Sequence, residues 1–149
     1  MEIREVTGDK KRYLPLLLLA DEQESMIDRY LDRGTMSVLI DGGAVKGECV
    51  VTDEGQGVLE IKNLAVEPAC HRMGYGKALI EYVAAKYQGQ FSVLQVGTGD
   101  SPLTVPFYEK CGFVRFHRVK NFFVEHYDHP ILEGGIRLID MIYLQRKLV

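Results

Sequence analysis

The stretch VEPACHRMGYGKALIEYV (66–83) sets His71, Arg72, Gly74, Gly76 and Lys77 directly ahead of a run that reads as an amphipathic helix. At a helix start the first N–H groups have no carbonyl partner within the helix. Together with the positive end of the helix dipole they form an anion site. Gly74 and Gly76 let a ligand come close to the main chain. The chemistry on offer is therefore the gripping of a phosphate-like group. Two familiar phosphate cradles fail here. The dinucleotide fingerprint lacks its third glycine, because Gly74-Tyr75-Gly76 runs on into Lys77, Ala78 and Leu79. The P-loop pattern meets His71 where its first glycine belongs, and Ala78 replaces the hydroxyl that would hold magnesium. A tight strand-to-helix turn alone would also use two glycines, so the surrounding elements decide.

Other reactive side chains narrow the field. Cys49, Cys70 and Cys111 are odd in number and widely spaced, without a CxxC pair. They suit reduced thiols in a cytoplasmic protein better than a zinc or redox site. His117, His126 and His129 follow neither an HxH nor an HExxH spacing, so no metal is expected.

The elements that must position the glycine turn can be read from periodicity. IREV (3–6) reads as a short strand, and Tyr13, Leu14, Leu17 and Leu18 fall at helical spacing. A second helix is predicted over 22–32, where Met26, Ile27, Tyr30 and Leu31 repeat at intervals of three and four, with Gly34 as its stop. MSVLID (36–41), Gly42-Gly43 and AVKGECVVT (44–52) predict a hairpin, followed by the strand VLEIKNLAV (58–66). Leu79, Ile80, Val83 and Ala84 then share one helix face, and FSVLQV (91–96) returns to strand. Strand, glycine turn, helix and strand make a βαβ unit whose two strands run parallel. A shorter helix over 102–110 ends at Cys111-Gly112, and 113–119 and 136–148 supply two late strands.

With 149 residues, no internal repeat and no linker, the chain reads as a single domain, 1–149. Its 46% hydrophobic and 26% charged residues exclude a disordered chain. A formal charge of −3 gives no general field for nucleic acid. LPLLLLA (14–20) is too short to cross a bilayer, so no membrane association is expected.

IKNLAVEPACHRMGYGKALI (61–80) and VPFYEKCGFVRF (105–116) together resemble the two hallmarks of the GNAT-type N-acetyltransferase superfamily. The first resembles its central strand, pyrophosphate loop and following helix, with the signature [Gln/Arg]-x-x-Gly-x-[Gly/Ala]. The second resembles its helix bearing Tyr, followed by Gly-Phe. His71 departs from the signature's Gln or Arg, with Arg72 beside it. The tail 121–141 is similar to that of a bacterial subgroup. The resemblance implies an α/β (α+β) fold with a central mixed, mostly antiparallel sheet of about six to seven strands, a splayed parallel pair and flanking helices.

It also implies roles. Acetyl-CoA is the cosubstrate, its pyrophosphate held by Arg72 and the N–H groups of Met73, Gly74, Gly76, Lys77 and Ala78, with Tyr75 in the same stretch. Leu64, Ala65 and Val66 at the end of the central strand pair with the pantetheine. Tyr108 matches the family's general acid, donating to the leaving sulfur. Glu60 is a candidate base for the amine, against a salt-bridged strand carboxylate. Asp21, Glu22 and Glu24 lie where the family's acceptor loop lies, and the 125–128 stretch with His126 would form the opposite wall. Cys111 needs no part, because transfer is direct. The expected reaction is acetylation of a primary amine of a small molecule. Lysine or N-terminal protein acetylation, or a non-catalytic acetyl-CoA sensor, are the alternatives, and a homodimer is compatible with the sequence.

Overall fold

Alternating aliphatic residues between 36 and 66, and apolar residues at helical spacing between 79 and 84, call for strands covered by helices. The computed structural model describes residues 1–148 and contains these elements. The chain runs through β1 (Glu2–Glu5), a 3-10 turn (Lys10–Tyr13), α1 (Leu14–Ala20), α2 (Glu24–Ile27), β2 (Thr35–Asp41), β3 (Ala44–Asp53) and β4 (Val58–Val66). A 3-10 turn (Pro68–Cys70) leads into α3 (Tyr75–Tyr87), β5 (Val93–Gly99), α4 (Val105–Lys110), β6 (Val114–Val119) and α5 (Phe122–His126). The small strands β7 (Leu132–Glu133) and β8 (Ile136–Arg137) precede β9 (Met141–Lys147).

Seven strands form one sheet in the order β1-β2-β3-β4-β5-β9-β6, and only β4 and β5 run parallel. On one face α3 and α4 bury Leu79, Ile80, Val83 and Tyr108 against Leu59, Ile61, Leu94 and Leu144. On the other, Leu17, Ile27, Tyr30 and Leu31 cover Met36, Val38 and Val50. Burying a side chain such as Leu79 or Ile80, both with no exposed surface, contributes about 1.5–3 kcal/mol. A satellite cluster of Phe123, Ile131 and Leu138 lies under the late loops.

Several boundaries differ from the sequence reading, among them the helix expected over 102–110, which begins at Val105. The helix expected over 22–32 closes after Ile27. Tight turns carry the chain onward, with the Tyr30 N–H bonded to the Ile27 carbonyl at 3.1 Å. Apolar spacing of three and four is satisfied by such turns as well as by a continuous helix, so Ile27, Tyr30 and Leu31 still reach the core. The strand expected from 91 starts at Val93, because the Phe91 and Ser92 amides bond to the carbonyls of Tyr87 and Gly57. The late strand expected over 136–148 is broken into β8 and β9. Leu138 turns into the satellite cluster, and the Asp140 carboxylate accepts from the Asn121 amide and Arg118.

Candidate active site

The parallel pairing of β4 with β5 stops early. Register runs from Val58↔Val93 to Ile61↔Val96, after which Gly97–Gly99 stay with β9 while β4 continues along β3. Lys62 is the extra residue of a bulge, since Val50 faces Asn63 and Val51 faces Ile61. A bulge bends its strand and sharpens its twist, which turns the end of β4 away from β5. The opening is a cavity of about 400 Å³, bounded by Ile61–Val66, by Val96–Thr98 and by Tyr108. The Glu67 amide bonds to the Lys46 carbonyl across β3. Alternation along an antiparallel ladder therefore points the main-chain groups of Leu64 and Val66 into the slot, while those of Ala65 face β3.

At the mouth of the slot, Gly74 caps α3 in the left-handed region at φ 82°. The amides of Arg72, Gly74, Tyr75, Gly76 and Lys77 find no acceptor among the described residues. The Met73 and Ala78 amides, expected to join them, bond instead to the carbonyls of Cys70 at 3.4 Å and Gly74 at 3.0 Å. Arg72 itself has a positive φ of 67°. Neither Arg72 nor Lys77 forms an ion pair with a described residue, so their charges add to the amide cluster. Tyr75 turns its ring into the core, and its hydroxyl donates to Asp41 at 2.6 Å, which pushes the phenol up to about 12. His71, at the variant position of the signature, holds the Val66 carbonyl through Nε2 at 3.1 Å.

Tyr108 lies on the slot wall. Its ring meets Phe107 and Phe113 edge-on at 5.1 and 5.6 Å, and the Phe113 amide bonds back to the Tyr108 carbonyl as the chain turns at Gly112. Burial, followed by the nearby Cys49 and Cys111 thiols, raises the phenol well above its ordinary value. It therefore stays protonated at neutral pH, the form in which it can give a proton. Burial raises Cys111 too, which disfavours its thiolate.

Glu60 sits elsewhere. Its carboxylate accepts from Gln95 at 2.6 Å and pairs with Lys62 at 2.7 Å. It lines a second cavity, of about 240 Å³, together with Arg29 and Tyr143. A third cavity, of about 210 Å³, joins the α1–α2 connection to the late loops. Asp21 there accepts from the hydroxyls of Tyr127 at 2.7 Å and Tyr30 at 3.1 Å, and burial raises its carboxyl against the pull of those bonds. Glu22 lines the same cavity and meets His129 Nε2 at 3.0 Å. The Asp128 and Glu22 carboxylates hold the His129 imidazole above its ordinary value. Glu24 points away to Lys11, and His126 is exposed, stacked on Phe122 and bonded to the Phe122 carbonyl. Of the 125–128 stretch expected to form the opposite wall, Tyr127 lines the cavity, and His129 just beyond it pairs with Glu22.

Two residues at the junction escaped the sequence reading. Asn63 Nδ2 bonds the Leu17 carbonyl and the Tyr30 hydroxyl, both at 3.0 Å, fixing α1 beside the slot. Glu133 borders both the slot and the third cavity. LEGGI announces a two-residue turn with Glu133 at its edge, but nothing local says what that turn faces.

The GNAT acetyltransferase domain model matches residues 32–115. The uncharacterized N-acetyltransferase YvbK of Bacillus subtilis strain 168 is 35% identical over 99% of this chain and 96% of its own length. A GNAT family acetyltransferase from Elizabethkingia anophelis, solved with acetyl-CoA bound, superposes with a TM-score of 0.92 at 33% identity, covering 98% of this chain and 97% of that one. An IAA acetyltransferase from Bacillus cereus ATCC 14579 gives 0.90 at 35% identity and 98% coverage of both chains. Because the domain match spans both the free amides and Tyr108, and the relatives align almost end to end, the chain belongs to the GNAT acetyltransferase family and is an acyltransferase.

Proposed function

We propose that the protein moves the acetyl group of acetyl-CoA directly onto a primary amine of a small molecule. The observation that carries this reading is the slot left where β4 parts from β5, with free main-chain amides at its mouth and protonated Tyr108 on its wall. These residues fit the donor. The amides of Arg72 and Gly74–Lys77, with the Arg72 and Lys77 side chains, take the pyrophosphate, and the main chain of Leu64 and Val66 takes the pantetheine amides. Acetyl-CoA supplies the activated thioester. Tyr108 supplies the proton that the departing sulfur needs, which contributes about 10²–10⁴-fold for a well-placed acid.

The acceptor side favours a small molecule over a protein tail. Bonds from Tyr127 to Asp21 and from His129 to Glu22 bridge its walls, and a polypeptide would require an open groove. The carboxylates on those walls suit a cationic amine.

The test is release of free coenzyme A from acetyl-CoA across a panel of amines. Turnover with at least one amine is expected. Replacement of Tyr108 by Phe should lower kcat about 10²-fold or more while leaving acetyl-CoA affinity unchanged. Binding of acetyl-CoA without release for any amine would replace the enzyme reading by a sensor, and a folded Y108F variant at full turnover would remove the acid role.

A further inference from the structure

Most carboxylates around the acceptor cavity already have partners. Asp21 holds two tyrosine hydroxyls, Glu22 holds His129, and Glu60, on the neighbouring cavity, holds Lys62 and Gln95. Glu133 does not. It forms no hydrogen bond or ion pair with a described residue, and its Oε2 is buried without a partner. A shielded carboxylate oxygen left unpaired is unfavourable unless a cation or donor arrives.

Its placement is specific. Glu133 pairs with Ile136 across the turn Gly134-Gly135, whose φ values of 58° and 79° give the tight form that glycine adopts without strain. Leu103 fills the space beside Gly134, so close that a Cβ there would lie 2.7 Å from it. The Leu138 amide bonds to the Ile131 carbonyl at 2.8 Å, securing the base of the hairpin over the satellite cluster. Alternation turns Leu132 to solvent and Glu133 inward, onto the wall shared by the slot and the acceptor cavity. The titratable groups that face this junction are Asp21, Glu22, Lys62, His71, Tyr108 and Tyr127. Lys62 is the ammonium among them, and Glu60 holds it.

We infer that Glu133 binds the ammonium of the acceptor at the meeting point of slot and cavity and takes its proton. The inference rests on the amine-acetylation reading and names the base of that same site. The ammonium gives one proton to the Glu133 carboxylate. The freed nitrogen then attacks the thioester carbonyl carbon, the C–N bond forms, and the C–S bond breaks with its electron pair on sulfur. Tyr108 protonates the sulfur and is recharged by the second nitrogen proton. Glu133 returns the first proton to solvent, so one proton is released per turnover. An adjacent carboxylate is the arrangement that lets the enzyme use the protonated amine that predominates at neutral pH.

Glu133→Gln keeps size and removes charge, and Glu133→Asp keeps charge on a shorter arm. Propylamine, 1,5-diaminopentane, spermidine and glucosamine are assayed for coenzyme A release, and each is titrated calorimetrically into the protein saturated with coenzyme A. E133Q should retain acetyl-CoA affinity and lose about 10²-fold or more in kcat/KM at neutral pH, with partial recovery in E133D. With propylamine between about pH 6 and 9, kcat/KM should be nearly flat for the wild type. For E133Q it should climb close to tenfold per pH unit, following the free amine in solution. A purely structural role would not produce that slope. If E133Q matches the wild type in rate, pH profile and amine binding, the inference fails while acetyl transfer stands. If no amine turns over but amine binding is present and disappears in E133Q, acetyl transfer fails and the ammonium site stands. Absence of both turnover and amine binding in the wild type overturns both.

Discussion

The side of this cleft proposed for the donor and the side proposed for the acceptor are made of different materials. The donor side is main chain: five amides without an acceptor among the described residues, at Arg72, Gly74 and the first turn of α3, and the peptide groups of Leu64 and Val66. The acceptor side is side chains, with Asp21 and Glu22 from one end of the sequence and Tyr127 and Glu133 from the other, and His129 pairs with Glu22. Main chain recognises what every donor of the class shares, a pyrophosphate and a row of amides. Side chains can be exchanged one at a time without disturbing the strands beneath, which suits them to the selection of an acceptor.

That division predicts different responses to mutation. The largest should come from Gly74→Val. A branched side chain in the left-handed region costs more than the roughly 1–2 kcal/mol of an ordinary residue, which should weaken acetyl-CoA binding tenfold or more in calorimetry. The KM for amine at saturating donor should hardly move. If both constants worsen together, the two sides are not separate devices.

A smaller effect is expected from Asp21→Asn, which removes charge from the acceptor wall and keeps one of the two oxygens that accept from Tyr30 and Tyr127. KM for cationic amines should rise about three- to tenfold, an amount on the order of 1 kcal/mol, with acetyl-CoA affinity preserved. A rise confined to acetyl-CoA would reverse the assignment of the walls.

The smallest functional effect, and a sharper boundary, should come from Glu48→Gln. Glu48 is fully buried on β3 with both carboxylate oxygens unpartnered, and burial raises its carboxyl well above the ordinary 4.5. The nearby Ala65 main chain pulls the other way without making a hydrogen bond. The native state binds the proton more tightly than the unfolded chain, so wild-type stability should fall as pH rises above about 4.5, by up to about 1.4 kcal/mol per unit. In Glu48→Gln that slope should disappear from urea midpoints measured from acid to neutral pH, with both binding constants unchanged. A pH slope equal to the wild type's would mean that Glu48 is charged and paired in solution.

The same division explains what the sequence made legible. The β2–β4 meander, α3 and the parallel β5 follow from patterning, because alternation and helical spacing are local properties. Gly74 and Tyr108 lie in contiguous segments whose types and order carry their own signal. Glu133 carried none: its meaning depends on a two-residue hairpin placed by Leu103 and Leu138, far from α1 in sequence. Which of the residues near His126 turns toward the cavity was not legible for a similar reason. A single helical turn in α5 decides which of residues 126–129 faces Asp21 and Glu22, and composition does not encode that phase. Met73 and Ala78 looked like donors by position alone, yet turn and helix closure consume both amides.

The gap between β4 and β5 has a consequence beyond catalysis. It is an unfinished seam inside a sheet, held by only four parallel residue pairs, and open strand edges invite pairing with other chains. A molecule that fills the seam acts as a missing strand, and by mass action it favours the folded state by about 2.7 kcal/mol at a hundredfold excess over Kd. The folded population of this enzyme should therefore rise whenever the coenzyme occupies the seam, so that loading the donor also completes the sheet.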